Sequence, residues 1–268
     1  MPLKQERQQL ILDTLQENRQ VTVAELSRRF DVSQVTIRRD LRELAARGML
    51  RRAHGGAVAV APAPPEPPVV QRMVQAETCK ACVGRAAAAL VADGESVFVG
   101  SGSTTAYVAR YLAHHHNLTV VTNAITVATE LAAAAGVTVV VTGGVLRASE
   151  LSLIGHIAEQ SLHEVRVDKV IMGMQAISLE EGMTNDYLSE VMTDRTILEM
   201  APELIVVADH TKFGKIASAY IAPVECISTL VTDPGVDPEV LFRLEAMGIR
   251  VIVAQAEETG GADGVGKA

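Results

Sequence analysis

The chain has 268 residues, 48% hydrophobic and 21% charged, enough apolar material for two packed domains and too much for general disorder. No apolar run approaches the roughly 18–20 residues that cross a bilayer, and the opening MPLKQERQQL lacks the apolar core of a secretion signal, so a cytoplasmic protein is expected. The formal charge of −8 is unevenly spread: residues 1–60 hold 11 Lys/Arg against 7 Asp/Glu, and the remaining 208 hold 13 against 25. A head of +4 on a body of −12 suits one module that meets phosphate backbones joined to another that does not.

Residues 4–17 read as an amphipathic helix, with Leu10, Ile11, Thr14 and Leu15 at helical spacing. Gln20-Val21-Thr22-Val23 offers a short extended stretch. Thr22 and Glu25 form a capping box that starts a second helix, ending near Phe30. Asp31-Val32 makes a turn, and Ser33 caps a third helix running to about Ala46, with Gly48 just past its end. On that third helix Val32, Ile37, Leu41 and Leu44 face inward, leaving Gln34, Thr36, Arg38, Arg39 and Arg42 outward. Such a face suits the DNA major groove, where Arg reaches guanine, Gln reaches adenine and the Thr methyl touches thymine. The positive end of the helix dipole at Ser33 favours a phosphate. The segment Gly48–Ala57 reads as two short strands and a glycine turn carrying Arg51, Arg52 and His54, a wing whose cations reach phosphate or the minor groove.

The run Val32-Ser-Gln-Val-Thr-Ile-Arg-Arg-Asp-Leu41, followed by Gly48-Met-Leu-Arg-Arg-Ala-His-Gly-Gly-Ala57, closely resembles the DeoR family of bacterial regulators. The spacing from Arg7 through Val21, Val23, Glu25-Leu26 and Phe30 fits as well. The resemblance implies a winged helix-turn-helix on double-stranded operator DNA, with Ser33, Gln34, Thr36, Arg38 and Arg39 at the duplex. Which of them read bases and which hold phosphate is open at this point.

Residues 59–70 contain five of the ten prolines, a composition that prefers extended polyproline II and makes a semi-rigid spacer. The expected organisation is a DNA-binding domain at 1–58, a linker at 59–71, a sensing domain at 72–255 and a disordered tail at 256–268.

In the body, strands are expected at Ser96–Val99, Leu118–Thr122, Val137–Thr142, Lys169–Gly173, Leu204–Ala208, Ile227–Thr232 and Arg250–Ala254. Helices are expected near 83–92, 105–113, 124–135, 156–164, 188–200 and 238–247. This alternation predicts an α/β domain with a mostly parallel sheet covered on both faces, binding ligands beyond the carboxyl ends of its strands. The best candidate is the turn in Val97-Phe-Val-Gly-Ser-Gly-Ser-Thr-Thr-Ala106, where glycines let backbone N–H groups turn inward at a helix start. It is neither a Walker A loop nor a dinucleotide fingerprint. Thr122-Asn123, Thr142-Gly-Gly144 with Arg147, and the Asp209–Lys215 stretch with Lys212 add polar groups at other strand ends.

The family resemblance extends from about residue 4 to 254. It implies a sensor domain similar in fold to ribose-5-phosphate isomerase and a phosphorylated sugar or sugar-like effector. The residues it implies for that ligand are Ser101, Gly102, Ser103, Thr104, Thr105, Asn123, Gly144, Arg147 and Lys212. Arg72 and Lys80 also match family positions. One stretch departs: relatives often carry Gly-Val-Asp-Gly-Ile where this chain has Gly173-Met-Gln-Ala-Ile177, so Met174 and Gln175 are expected to line the pocket and to alter ligand preference.

Two other chemistries have residues in this chain that bear on them. A sugar-phosphate isomerase with a DNA-binding head needs a placed base; Asp186, Asp194 and Asp209 are available but none sits in a catalytic motif, so no catalytic residue is expected. Cys79-Lys-Ala-Cys82 and His114-His-His116 lack the second matched pair that zinc sites use, so no metal or other cofactor is expected. The expected partners are operator DNA, the effector and further copies of the chain, as a dimer or tetramer.

Overall fold

The computed structural model describes residues 4–18, 20–46, 50–53, 56–59 and 67–255. The head runs α1 (Lys4–Asn18), β1 (Gln20–Thr22), α2 (Val23–Phe30), α3 (Gln34–Ala46), β2 (Leu50–Ala53) and β3 (Gly56–Ala59). Thr22 and Glu25 make the expected reciprocal cap of α2: Glu25 N–H donates to Thr22 Oγ1 at 3.2 Å and Thr22 N–H to Glu25 Oε2 at 3.0 Å. Asp31 closes that helix in the left-handed region at φ 51°, and Ser33 Oγ accepts the Thr36 N–H at the start of α3. One core unites Ile11, Leu15, Leu26, Phe30, Ile37, Leu41, Leu44 and Leu50. The strands pair antiparallel in the order β1-β3-β2. Gly56 is required there, since a Cβ would lie 2.0 Å from the Val21 carbonyl oxygen.

Two details of the head differ from expectation. Leu10 is exposed, and the buried side of α1 continues through Arg7 and Gln8 instead; polar partners on α3 satisfy them, which hydrophobic periodicity does not register. Val23 opens α2 rather than extending β1, because the cap at Thr22 fixes the start of the helix.

The body begins with α4 (Val69–Met73) and α5 (Glu77–Ala88), then β4 (Ser96–Val99), α6 (Ser103–Leu112), β5 (Leu118–Thr122), α7 (Ile125–Leu131) and β6 (Val137–Val141). A hairpin, β7 (Val145–Arg147) and β8 (Ser152–Ile154), leads to α8 (His156–His163) and β9 (Lys169–Gly173). There follow β10 (Ala176–Ser178), β11 (Gly182–Asn185), α9 (Leu188–Leu198), β12 (Glu203–Val207), β13 (Ala219–Ala222), β14 (Thr229–Thr232), α10 (Pro238–Ala246) and β15 (Arg250–Val253). Seven strands form a parallel sheet in the order β15-β14-β12-β9-β4-β5-β6.

Strand alternation supplies both faces of this sheet. Val97, Val99, Val120, Ile171, Ile205 and Val207 pack under α5, α6 and α7. Phe98, Val121, Val170, Met172, Leu204 and Val206 meet Leu162, Val191, Ile197 and Leu244 from α8, α9 and α10. The helix expected at 83–92 instead spans Glu77–Ala88, so both Cys79 and Cys82 lie on it. Two additions interrupt the parallel pattern: the β7–β8 hairpin and an antiparallel sheet of order β10-β11-β13. Among the described residues, no helix is long and apolar enough to cross a membrane.

Candidate functional site

Two places concentrate polar chemistry. The first is the outer side of α3, where Ser33, Gln34, Arg38, Arg39 and Arg42 are exposed and Thr36 is half-buried. Ser33 Oγ and Thr36 Oγ1 are 2.9 Å apart, and Arg38 Nη2 donates to Gln34 Oε1 at 3.3 Å. The inner side carries Ile37, Leu41 and Leu44, all buried, and it also carries Asp40. Arg7 Nε donates to Asp40 Oδ2 at 2.6 Å, while Lys4 and Gln8 of α1 both reach Glu43. These polar contacts, with the core beneath, fix how α3 is rolled against α1 and hence which side chains it presents. Arg51 and Arg52 occupy β2 opposite Val58 and Ala57; His54 lies outside the described residues.

The second place is where the sheet reverses direction. From β4 the chain builds outward through β5 and β6, whereas β9, β12, β14 and β15 build the other way. At the carboxyl ends of the strands there, a cleft of about 530 Å³ opens, where open α/β sheets bind ligands. Gly102 caps α6 at φ 141°, a conformation reserved for glycine. With no side-chain cap at Gly102, the first turn of α6 directs N–H groups and helix dipole at the cleft. Ser101, Gly102, Ser103, Thr104, Asn123, Arg147, Met174, Gln175 and Lys212 all line it. Asn123 donates to the Leu153 carbonyl at 3.3 Å, and its Oδ1 is buried without a partner.

Thr105 and Gly144 do not line the cleft. Thr105 is fully buried beneath the loop and donates to the Gly102 carbonyl at 2.9 Å, holding the loop's shape. Gly144 sits at φ 120°, where a Cβ would meet the Ile154 carbonyl oxygen at 2.8 Å, so it serves the hairpin. Met174 is buried, and Gln175 is engaged: its amide donates to the Asp186 carboxylate while its Oε1 accepts the Asp186 N–H at 2.9 Å.

The opposite wall of the cleft holds groups that the sequence did not bring together. Arg147 is ion-paired to Glu190, and its guanidinium lies 4.3 Å from the centroid of the Tyr187 ring. Glu190 also accepts from Ser152 Oγ at 2.9 Å and from Asn185 Nδ2 at 3.1 Å. The same Asn185 amide reaches Asp194 Oδ2 at 3.1 Å. Burial, reinforced by the Glu190 charge, pushes the Asp194 carboxyl up to about 8, so it carries its proton at neutral pH. Their one sequence cue is carboxylates at i and i+4 on a helix behind an asparagine, which places both on one side.

The rim of the cleft is tied to α4. Val69 N–H donates to the Ser149 carbonyl at 2.7 Å, and Arg72 is ion-paired to Glu150, both acceptors lying in the turn between β7 and β8. Burial pushes the Glu150 carboxyl up despite Arg72 beside it. Lys80, buried on α5, donates to the carbonyls of Arg72 at 2.5 Å and Gln75 at 2.6 Å, which gives this family position a structural task.

Among the described residues, Asp209, His210 and Asp233 bring possible metal-ligating atoms within 4.8 Å of one another. Hydrogen bonds already occupy these carboxylates. Asp233 accepts N–H groups from His210 at 3.0 Å and Gly235 at 2.7 Å and faces His210 Nδ1, and Asp209 accepts the Thr211 N–H at 2.9 Å. The three cysteines are free, and burial pushes the Cys79 thiol up, away from the reactive thiolate.

Comparison with known proteins places the two parts together. A model of the DeoR-like helix-turn-helix domain matches residues 7–63, and one of the DeoR C-terminal sensor domain matches residues 75–234. The chain belongs to the DeoR family. A relative in Escherichia coli whose name assigns it to the aga operon is 35% identical over 92% of this chain and 93% of its own. The transcriptional repressor AccR of Agrobacterium fabrum is 33% identical over 86% of this chain and 90% of its own. The glycerol-3-phosphate regulon repressor of Escherichia coli is 31% identical over 83% of this chain and 88% of its own. Among solved structures, ribose 5-phosphate isomerase A from Neisseria gonorrhoeae is similar at 17% identity and a TM-score of 0.39, over 53% of this chain and 55% of that one.

Proposed function

We propose that this DeoR-family member is a transcriptional repressor whose hold on operator DNA is set by a phosphorylated sugar or polyol in the cleft. The observation that carries the reading is the division of α3: Gln34, Arg38, Arg39 and Arg42 are exposed on one side, while Ile37, Asp40, Leu41 and Leu44 lock the other. In this reading Ser33, Gln34, Thr36, Arg38, Arg39 and Arg42 meet the duplex, with Arg51, Arg52 and His54 supporting from the wing. Acting on the chromosome places the protein in the cytoplasm.

The effector's phosphate takes the N–H groups of the 101–104 loop, with Lys212 and Asn123 beside it. Its hydroxyls take the wall at Asn185 and Asp194. The name of the glycerol-3-phosphate regulon repressor supports a phosphorylated polyol or sugar as the ligand class. Signal leaves the cleft through Ser149 and Glu150, because a ligand that shifts this rim pulls on Val69 and Arg72 and so on the chain leading to the head. The effector switches the protein only by binding one arrangement better than the other.

The protein acts as a regulator and not as an isomerase. Glu190 is consumed by Arg147, Ser152 and Asn185, and Asp194 holds its proton, so neither is poised as a base. The test is a thermal-shift screen of the full chain against phosphorylated sugars and polyols, with inorganic phosphate and unphosphorylated sugars as controls. A ligand at about 100 times its dissociation constant adds roughly 2.7 kcal/mol. A phosphorylated compound that beats both controls supports the reading, and the same compound should show no turnover. A panel without a hit refutes the ligand class.

A further inference from the structure

One face of the body is built unlike the rest. Segment 137–158 contains only two formally charged residues, Arg147 and Glu150, and both turn into the cleft, where each is ion-paired. What the segment leaves outside is uncharged and largely apolar: Val140 and Val141 on β6, Val145 and Leu146 on β7, and Ile157 on α8 are all exposed, Val145 by 67%, and Thr138, Ala148 and His156 are exposed in the same segment. The apolar ones adjoin one another, since Val145 and Leu146 follow β6 by a three-residue turn and Ile157 Cγ2 lies 3.8 Å from the Cβ position of Gly143 in that turn.

The edge strand itself is unprotected. β6 is the last strand of the seven, with only β5 beside it. Its sequence, Val-Thr-Val-Val-Val, lacks the lysine, proline or bulge with which proteins blunt an open edge. A contiguous apolar patch of this kind marks a contact surface.

We infer that this face, formed by β6, the β7 strand and the start of α8, is where a second copy of the chain docks about a two-fold axis. Charge selects the occupant. Residues 61–268 carry 13 positive and 25 negative side chains, so two bodies repel each other over most of their surfaces. The uncharged strip lets two equally acidic bodies meet without like charges opposed, and a two-fold axis sets it against itself. A basic partner would gain nothing here and everything on the acidic faces. Because Leu146 and Arg147 of the same strand line the cleft, the interface and the ligand site share a wall.

Association through this face stands apart from what the cleft binds and is tested without ligand or DNA, so its failure leaves the effector reading untouched. Sedimentation equilibrium of the full chain at micromolar concentration should give at least twice the chain mass. Val145→Glu and Val140→Lys should each weaken that association by about 100-fold, because each charge is buried twice and faces its own copy. Their circular dichroism and melting behaviour as monomers should stay native, since both side chains are exposed. Phe242→Glu, also exposed but on α10, should leave the mass unchanged. A monomeric wild type would overturn the inference, and so would variants that keep the wild-type mass or loss of association in Phe242→Glu alone. A monomer whose melting point falls in Val145→Glu would mean that the chain's own segment covers the face, which also overturns it.

Discussion

Arg7 on α1 and Asp40 on α3 meet through a 2.6 Å hydrogen bond with both side chains buried, directly behind the arginines that α3 shows to solvent. Breaking a buried pair from one side leaves an uncompensated charge and costs about 3–5 kcal/mol. Asp40→Ala should therefore destabilise the head by about that amount and weaken operator binding through lost orientation of α3. Denaturant unfolding followed by circular dichroism checks the first, and fluorescence anisotropy on operator DNA the second. A loss below about 1 kcal/mol would show that the pair does not hold the helix.

Arg39 is exposed on α3 with no part in the core. Arg39→Ala should leave the melting point within its error while weakening operator binding. If its contact is to phosphate, the salt slope of log affinity should fall by about 1. If it reads a base, binding should lose about 1–3 kcal/mol at one operator position only. Anisotropy titrations at several salt concentrations separate the two.

Gly102 offers a sharper probe of the cleft than any hydroxyl. At φ 141° a side chain strains the loop and turns its N–H groups away. Gly102→Val should abolish the ligand-induced thermal shift, while operator binding without ligand persists. Retained ligand response would remove the 101–104 loop from the site.

Asp194 gives the body a pH signature. Its carboxyl is raised from 3.8 to about 8, so between those values the folded chain holds a proton that the unfolded chain has released. Stability must then fall as pH rises through this window and level off above it. The raised Glu150 adds to the same slope. Asp194→Asn, which mimics the protonated form, should flatten the decline in melting temperature between about pH 5 and pH 8. An unchanged slope would assign it to other groups.

Much of this architecture is readable in the sequence where a local rule decides the outcome. Ser96–Val99, Leu118–Thr122 and Lys169–Gly173 coincide with their expected strands because each is a largely apolar run of four or five residues bounded by polar or glycine residues. The cap at Thr22 and the loop at Gly102 are legible for the same reason: backbone conformation is written into the residue type. The hairpin at Val145–Ile154 and the sheet of β10, β11 and β13 are not, since strands of three or four residues carry too little alternation to register. Nor are the pairs Arg72–Glu150 and Arg147–Glu190, whose partners lie 78 and 43 residues apart. Sequence shows the cations, and only the fold shows that they are already spoken for. That changes the meaning of Arg147, which the family resemblance assigns to the effector and which in the structure is one half of a clamp between β7 and α9.

In the proposed function, the cleft and the exposed side of α3 are two ends of one switch. Its most direct test is fluorescence anisotropy of the full chain on DNA from upstream of its own gene, titrated with the phosphorylated compound that the thermal screen selects. Tight binding without ligand, release on titration, and no release in Gly102→Val although that variant still binds the DNA are the expected results. DNA binding that is indifferent to every ligand able to stabilise the protein would contradict the switch.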